Sequence, residues 1–268
     1  MEMANVLRKM SRTVVAGALL FAAAANASSW STDVTDLWWN PSESGWGVNM
    51  VQTGDQAYVT FFVYGADKKP TWFAGTLRDP GVTANPIFSG DLYTSSGPFY
   101  GGSFNPADVS IKKAGSATFT LTGVSSGTLQ YTVDGVQVTK QIVRQPLSYD
   151  DYSGTYDVVY NYTVTGCNDP VYNGTYVDVG TVIIKHTRAA MSVELNDVLG
   201  VGTCTSAGTY SQAGRMGSYS GSYACTWGEV GVMKLAELNN APRKFMGMLN
   251  FPSSSYGCVI EGNVVGVE

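Results

Sequence analysis

Apolar and polar side chains alternate with a period of two along most of this chain, and beyond residue 27 no stretch holds a helical period. Ala117, Phe119 and Leu121 alternate with Thr118, Thr120 and Thr122. Leu129, Tyr131 and Val133 run into Asp134-Gly135, the favoured pair of a type I′ hairpin, and Val136 and Val138 follow. That turn sets Val133 opposite Val136 and Tyr131 opposite Val138. Upstream, Trp46, Val48 and Met50 open a strand. Tyr58–Tyr64 and Thr71–Leu77 continue the meander across a turn at Asp67-Lys68-Lys69-Pro70. Residues 28–147 therefore read as a tryptophan-rich domain of antiparallel strands.

A second set begins after Gln145-Pro146-Leu147-Ser148. Tyr156, Val158, Tyr160, Tyr162 and Val164 share one face of a long strand. Further strands are expected near 175–187, 190–197, 201–212, 216–227, 229–238, 243–251 and 257–267. Eight strands joined by short turns suit an up-and-down barrel. The fold class is thus all-β, with two small antiparallel up-and-down barrels of the avidin or lipocalin type in tandem, the second spanning 148–268.

The four cysteines test that topology. A turn at Ala213-Gly214-Arg215-Met216 places Cys204 opposite Cys225 and Tyr210 opposite Tyr219. Directly opposed residues have Cβ atoms close enough for a disulfide. In a closed eight-strand meander the first strand ends where the last begins, so Cys167 meets Cys258. The expected disulfides are Cys204–Cys225 and Cys167–Cys258. A four-cysteine zinc site would need paired short spacings that are absent here.

Disulfides imply an oxidising compartment, and the first residues supply a route to it. Arg8, Lys9 and Arg12 precede an apolar run, Thr13–Ala25, and Ala25-Asn26-Ala27 offers the small residues of a cleavage site. Residues 1–27 read as a signal peptide cut after Ala27. The product is expected to be exported, periplasmic or extracellular, with no membrane span after cleavage. Lys and Arg number 16 against 21 Asp and Glu, a net charge of −5, so no basic face speaks for nucleic acid.

Candidate chemistry concentrates in one place. Trp30, Trp38, Trp39, Trp46 and Trp72 crowd the first domain, with Trp227 alone in the second. Exposed indoles would make a platform for sugar rings or apolar groups, whereas buried ones would plug one end of the barrel. Trp38, Trp39, Trp46 and Trp72, with Glu43 among them, are the candidate ligand-binding residues. A carboxylate beside indoles is also a candidate general acid with a raised pKa, partnered by Asp36 or Asp55. Gly123-Val124-Ser125-Ser126-Gly127 matches a nucleophile elbow, but in a strand–turn–strand context it reads as a chance match. His186 is the single histidine and, in phase with Val182 and Ile184, reads as a partly buried structural residue. Met233, Met246 and Met248 are copper-ligand candidates that suit barrel packing equally well. No cofactor and no metal is expected.

The stretch Asp36–Gly47, with its WWNPSESGWG core, resembles a group of exported, mostly proteobacterial proteins of uncharacterised function that carry a WWNPxESGWG module. Tyr131–Arg144 and Gly208–Cys225 extend the resemblance to both halves. It implies export and β-structure and transfers no catalytic residue. The leading expectation is a non-enzymatic barrel protein that binds a small apolar or carbohydrate ligand, or a cell-envelope partner, through the tryptophan cluster. The alternatives are a glycosidase-like hydrolase using Glu43 with a nearby aspartate, and a structural or adhesive envelope component.

Overall fold

The computed structural model describes residues 33–83, 85–196, 202–241, 243–253 and 255–268. The expected signal peptide, 1–27, and Trp30 lie outside the described residues. What is described forms two closed eight-strand antiparallel barrels, each with its strands in sequence order. The chain divides into compact units between Leu147 and Ser148. Among the described residues no helix is long and apolar enough to cross a membrane.

The first barrel runs β1 Asp36–Trp39, β2 Gly47–Thr53, β3 Gln56–Tyr64, β4 Pro70–Arg78, β5 Ile87–Ser96, β6 Ser110–Gly123, β7 Ser126–Val133 and β8 Val136–Arg144. Asp134 and Gly135 both take positive φ, 48° and 80°, as a type I′ turn requires. The hairpin register is the expected one, Val133 with Val136 and Tyr131 with Val138. Short β1 closes the barrel against β8, pairing Trp38 with Arg144. Inward positions carry large side chains: Met50, Phe61, Leu77, Phe88, Leu92, Phe119, Leu121, Leu129 and Ile142 are all fully buried. An eight-strand barrel is just wide enough to be filled by side chains or to hold one small ligand. This one has a filled core.

One buried charge caps that core. Arg144 Nε donates to Val124 O at 2.7 Å, Nη1 to Thr35 O at 3.1 Å and to Asp36 Oδ2 at 3.2 Å, and Nη2 to Asp33 O at 2.5 Å. Its guanidinium carbon sits 4.7 Å from the centre of the Trp38 ring. A buried guanidinium is tolerable only when paired and fully hydrogen-bonded, and this one ties the segment before β1 to the end of β8.

The second barrel runs β9 Gly154–Thr165, β10 Gly174–His186, β11 Ala190–Asn196, β12 Cys204–Ala213, β13 Met216–Cys225, β14 Val230–Ala241, β15 Lys244–Pro252 and β16 Val259–Val267. Strands β9 and β16 close it from Thr165–Val259 to Asp157–Val267. Both disulfides are present: Cys204 and Cys225 are direct cross-strand partners, and Cys167 joins Cys258 where β9 ends and β16 begins. The two bridges lie at the same end of the barrel.

The opposite end is plugged. Tyr152 is fully buried there, with ring contacts to His186, Tyr210 and Phe245. Its backbone N–H donates to His186 Nδ1 at 3.2 Å, so the imidazole hydrogen resides on Nε2. That N–H is buried without a hydrogen-bond partner, and the imidazole and Tyr210 rings pack at 4.3 Å between centroids with 72° between their planes. The His186 side chain is more deeply buried than expected, at 2% exposure.

Candidate functional site

The tryptophan motif does not form one surface. Adjacent residues on a strand point to opposite faces, so β1 sends Trp38 inward and Trp39 outward. Trp38 is 0% exposed, packs edge-on against Phe119 at 4.9 Å and donates its Nε1–H to Val34 O at 2.9 Å. Trp38 is therefore core, which corrects the expectation that it contacts ligand. Trp39 and Trp46 line a shallow groove of about 280 Å³ with Phe62 and Gly45. The Nε1–H of Trp39 is buried with no partner. Trp72, 44% exposed, belongs to a separate groove of about 730 Å³ with Tyr58, Tyr93 and Asp91 on the outer face of β3–β5.

Glu43 pins the loop between β1 and β2. It accepts Trp46 Nε1–H at 3.0 Å, and both its oxygens take Lys140 Nζ, at 2.9 and 2.7 Å. The hydrogen bond from Lys140 is the main reason its carboxyl titrates below the usual range, against an opposing pull from desolvation. A general acid needs the opposite shift. The two aspartates considered as its partners are engaged elsewhere, Asp36 with Arg144 at 3.2 Å and Asp55 with Arg78 at 2.6 Å. The methionine trio does not converge either: Met233 is buried inside the barrel, whereas Met246, 54% exposed, points outward with Met248 one strand-period on. Gly123–Gly127 makes a tight hairpin between β6 and β7, the context that excludes a nucleophile elbow.

The second barrel holds what the sequence did not foretell. A cavity of about 250 Å³ lies within it, at the disulfide-bridged end. Its deeper wall is aliphatic and aromatic, formed by Val182, Ile184, Val193, Leu235, Phe245, Leu249 and Val264. Nearer the disulfides it is lined by Tyr160, Tyr162, Tyr172, Tyr176, Trp227, Phe251 and Tyr256. Several rings of this barrel are seated directly on glycines of the facing strands. A Cβ on Gly231 would stand 2.5 Å from the ring of Tyr223, and one on Gly217 would stand 2.6 Å from the Tyr210 hydroxyl. The same missing Cβ makes room for Phe245 over Gly266 and for the Tyr219 hydroxyl over Gly221. Glycine at these inward positions gives each ring a berth against the backbone.

Two carboxylates join this apolar lining. Glu229, 5% exposed, accepts Ser253 Oγ–H at 2.9 Å and the Ser255 N–H at 3.3 Å, with the Tyr223 hydroxyl at 3.5 Å. Burial, reinforced by Glu229, pushes the Tyr223 hydroxyl up to about 12. On β10, Asp178 accepts the Tyr162 hydroxyl at 2.5 Å and stands directly across the ladder from Tyr160. Burial alone drives the Tyr160 hydroxyl upward, with no hydrogen bond or charge contributing. It remains a protonated donor at neutral pH, facing an apolar cavity.

No family model and no curated protein matches the chain. Among solved structures, a crystal structure of the vaccine antigen transferrin binding protein B from Haemophilus parasuis Hp5, a single tryptophan-to-alanine mutant, aligns at 11% identity over 83% of this chain and 52% of that chain, with a TM-score of 0.30. A double mutant of the same protein aligns at 10% identity over 82% and 53%, with a TM-score of 0.28. The chain spans about half the length of these structures. So remote a likeness assigns neither ligand nor partner here.

Proposed function

We propose that this is an exported, non-enzymatic protein whose second barrel binds a small, largely apolar molecule. The observation that carries the reading is the contrast between the two interiors, the first filled by side chains and the second holding a cavity of about 250 Å³ with an almost wholly apolar wall. Ligand sites are typically apolar concavities with a few placed polar groups, and Tyr160 and Asp178 are such groups. A dry cavity of about 150 Å³ accommodates a benzene-sized molecule, so this one suits a ligand of about ten non-hydrogen atoms. At about 0.6 kcal/mol per atom, within the range of small ligands, Kd falls in the tens of micromolar. Export is supported by the basic and apolar start of the chain and by two disulfides, which belong to an oxidising compartment.

Native mass spectrometry of protein purified from its own host, together with calorimetric titration of 1-octanol, tests the reading. Replacing Leu249 by Trp fills the cavity from its aliphatic wall. The wild type should carry or bind the small molecule and the variant should not, with both barrels folded. Absence of any adduct and of octanol binding in the wild type would refute it.

One observation favours a second reading, in which the first barrel contacts a sugar. The groove that Trp39 shares with Trp46 and Phe62 brings aromatic rings together at the surface, the stacking element that saccharide recognition uses. Loss of polysaccharide retention in Trp39→Ala, with the first barrel still folded, would be its signature.

A further inference from the structure

We propose that the second-barrel cavity is selective for a cationic amphiphile, a small apolar molecule carrying an ammonium head, and that Asp178 with the surrounding tyrosines forms the head-group site. This rests on the reading that the cavity binds a ligand and names the class of ligand. The first support is what the wall lacks. Among the described residues that line the cavity, none is lysine, arginine or histidine, whereas two are carboxylates, Asp178 and Glu229. A carboxylate ligand would be desolvated there beside like charges and with no basic partner, which is strongly unfavourable. Fatty-acid-like anions are thereby disfavoured.

The second support is the arrangement around Asp178. Inward-facing residues of β9 and β10 pair Tyr160 with Asp178 and Tyr162 with Tyr176 across the ladder. The rings of Tyr162 and Tyr176 are 5.7 Å apart and tilted by 32°. The Asp178 carboxylate accepts one neutral hydroxyl, that of Tyr162, and retains lone pairs for a second donor. An ammonium group placed against it would meet an anion and the faces of several electron-rich rings, the combination by which aromatic cages hold alkylated amines. The apolar tail would lie toward Val182, Leu235 and Val264, deeper in the barrel. Charge, ring density and depth of the apolar wall thus point to one ligand class.

The test is a calorimetric series at neutral pH with three probes that share a tail, namely octylammonium, 1-octanol and octanoate. Octylammonium should bind about tenfold to a hundredfold more tightly than octanol, from one charge-assisted hydrogen bond and the ring faces, and octanoate should not bind measurably. Asp178→Asn preserves an acceptor for Tyr162 and removes the charge. It should reduce the preference for ammonium over octanol to within a few-fold. Octanoate binding as tightly as octylammonium, or an unchanged ammonium preference in Asp178→Asn, overturns the assignment of ligand class and leaves the cavity reading standing. Failure of all three probes overturns both.

Discussion

The two disulfides close nested loops, and the nesting fixes how much each should stabilise the second barrel. Cys204–Cys225 spans 21 residues and Cys167–Cys258 spans 91. In the loop-entropy account the inner bridge contributes about 3.3 kcal/mol; with that bridge in place the outer loop has an effective length of roughly 70 residues and contributes about 4.4 kcal/mol. Together they approach the whole stability of an ordinary domain, about 5–15 kcal/mol. Replacing Cys167 and Cys258 by alanine should therefore lower the urea midpoint of the second barrel by about 2 M, and replacing Cys204 and Cys225 by somewhat less. Trp227 is the one tryptophan of residues 148–268 and the other five lie before residue 147, so the two transitions have separate fluorescence reporters. Residues 28–147 contain no cysteine, and their transition should not move under reductant. Because Cys204 and Cys258 line the cavity, octanol affinity should fall on reduction at urea concentrations well below the unfolding midpoint. An inner bridge worth as much as the outer one, or a first-barrel transition that follows the thiol state, would refute this account.

Two further outcomes test the remaining buried polar groups. Arg144→Met should destabilise the first barrel by about 3–5 kcal/mol in urea unfolding, because it removes the buried guanidinium that bonds Asp36 and three backbone carbonyls. Burial lowers the pKa of His186, against opposing pulls from Asp151 and Asp150, so the unfolded chain takes up the proton first. That stability is complete above about pH 6.5 and is lost as the pH falls through the lowered value; urea midpoints of His186→Gln should depend less on pH between 7 and 5 than those of the wild type.

Strand order and disulfide pairing were legible because both follow from short-range rules. A type I′ pair fixes the register of one hairpin, a four-residue turn fixes another, and closure of a meander brings its first and last strands together. The same alternation that revealed the strands also bears on the tryptophans, since Trp38 and Trp39 are neighbours on β1 and must diverge. Which of them faces inward depends on where β8 pairs, a contact more than a hundred residues away in sequence, through Arg144. Density along the chain therefore overstated how far they share one surface. Glu43 anchors its loop through Lys140, which lies 97 residues away, and no local pattern announces that partner.

The cavity was illegible for a different reason. Both barrels have eight strands, and strand number sets a width at which filled and hollow interiors are both available. What separates them is how inward glycines are used. In the first barrel a Cβ on Gly75, Gly90 or Gly115 would strike the backbone of the neighbouring strand, so glycine there lets strands approach, and Gly127 alone of that interior sits under a ring, that of Phe119. The second barrel has close backbone approaches too, at Gly208 and Gly262, but adds Gly217, Gly221, Gly231 and Gly266 beneath Tyr210, Tyr219, Tyr223 and Phe245. Of these four rings Phe245 lines the cavity, beside Tyr160, Tyr162 and Tyr176 of β9 and β10. Sequence composition records the same abundance of aromatic residues in either case. The cross-strand registry, which brings Gly231 opposite Tyr223, Gly266 opposite Phe245 and Asp178 opposite Tyr160, is set by pairings that composition does not record.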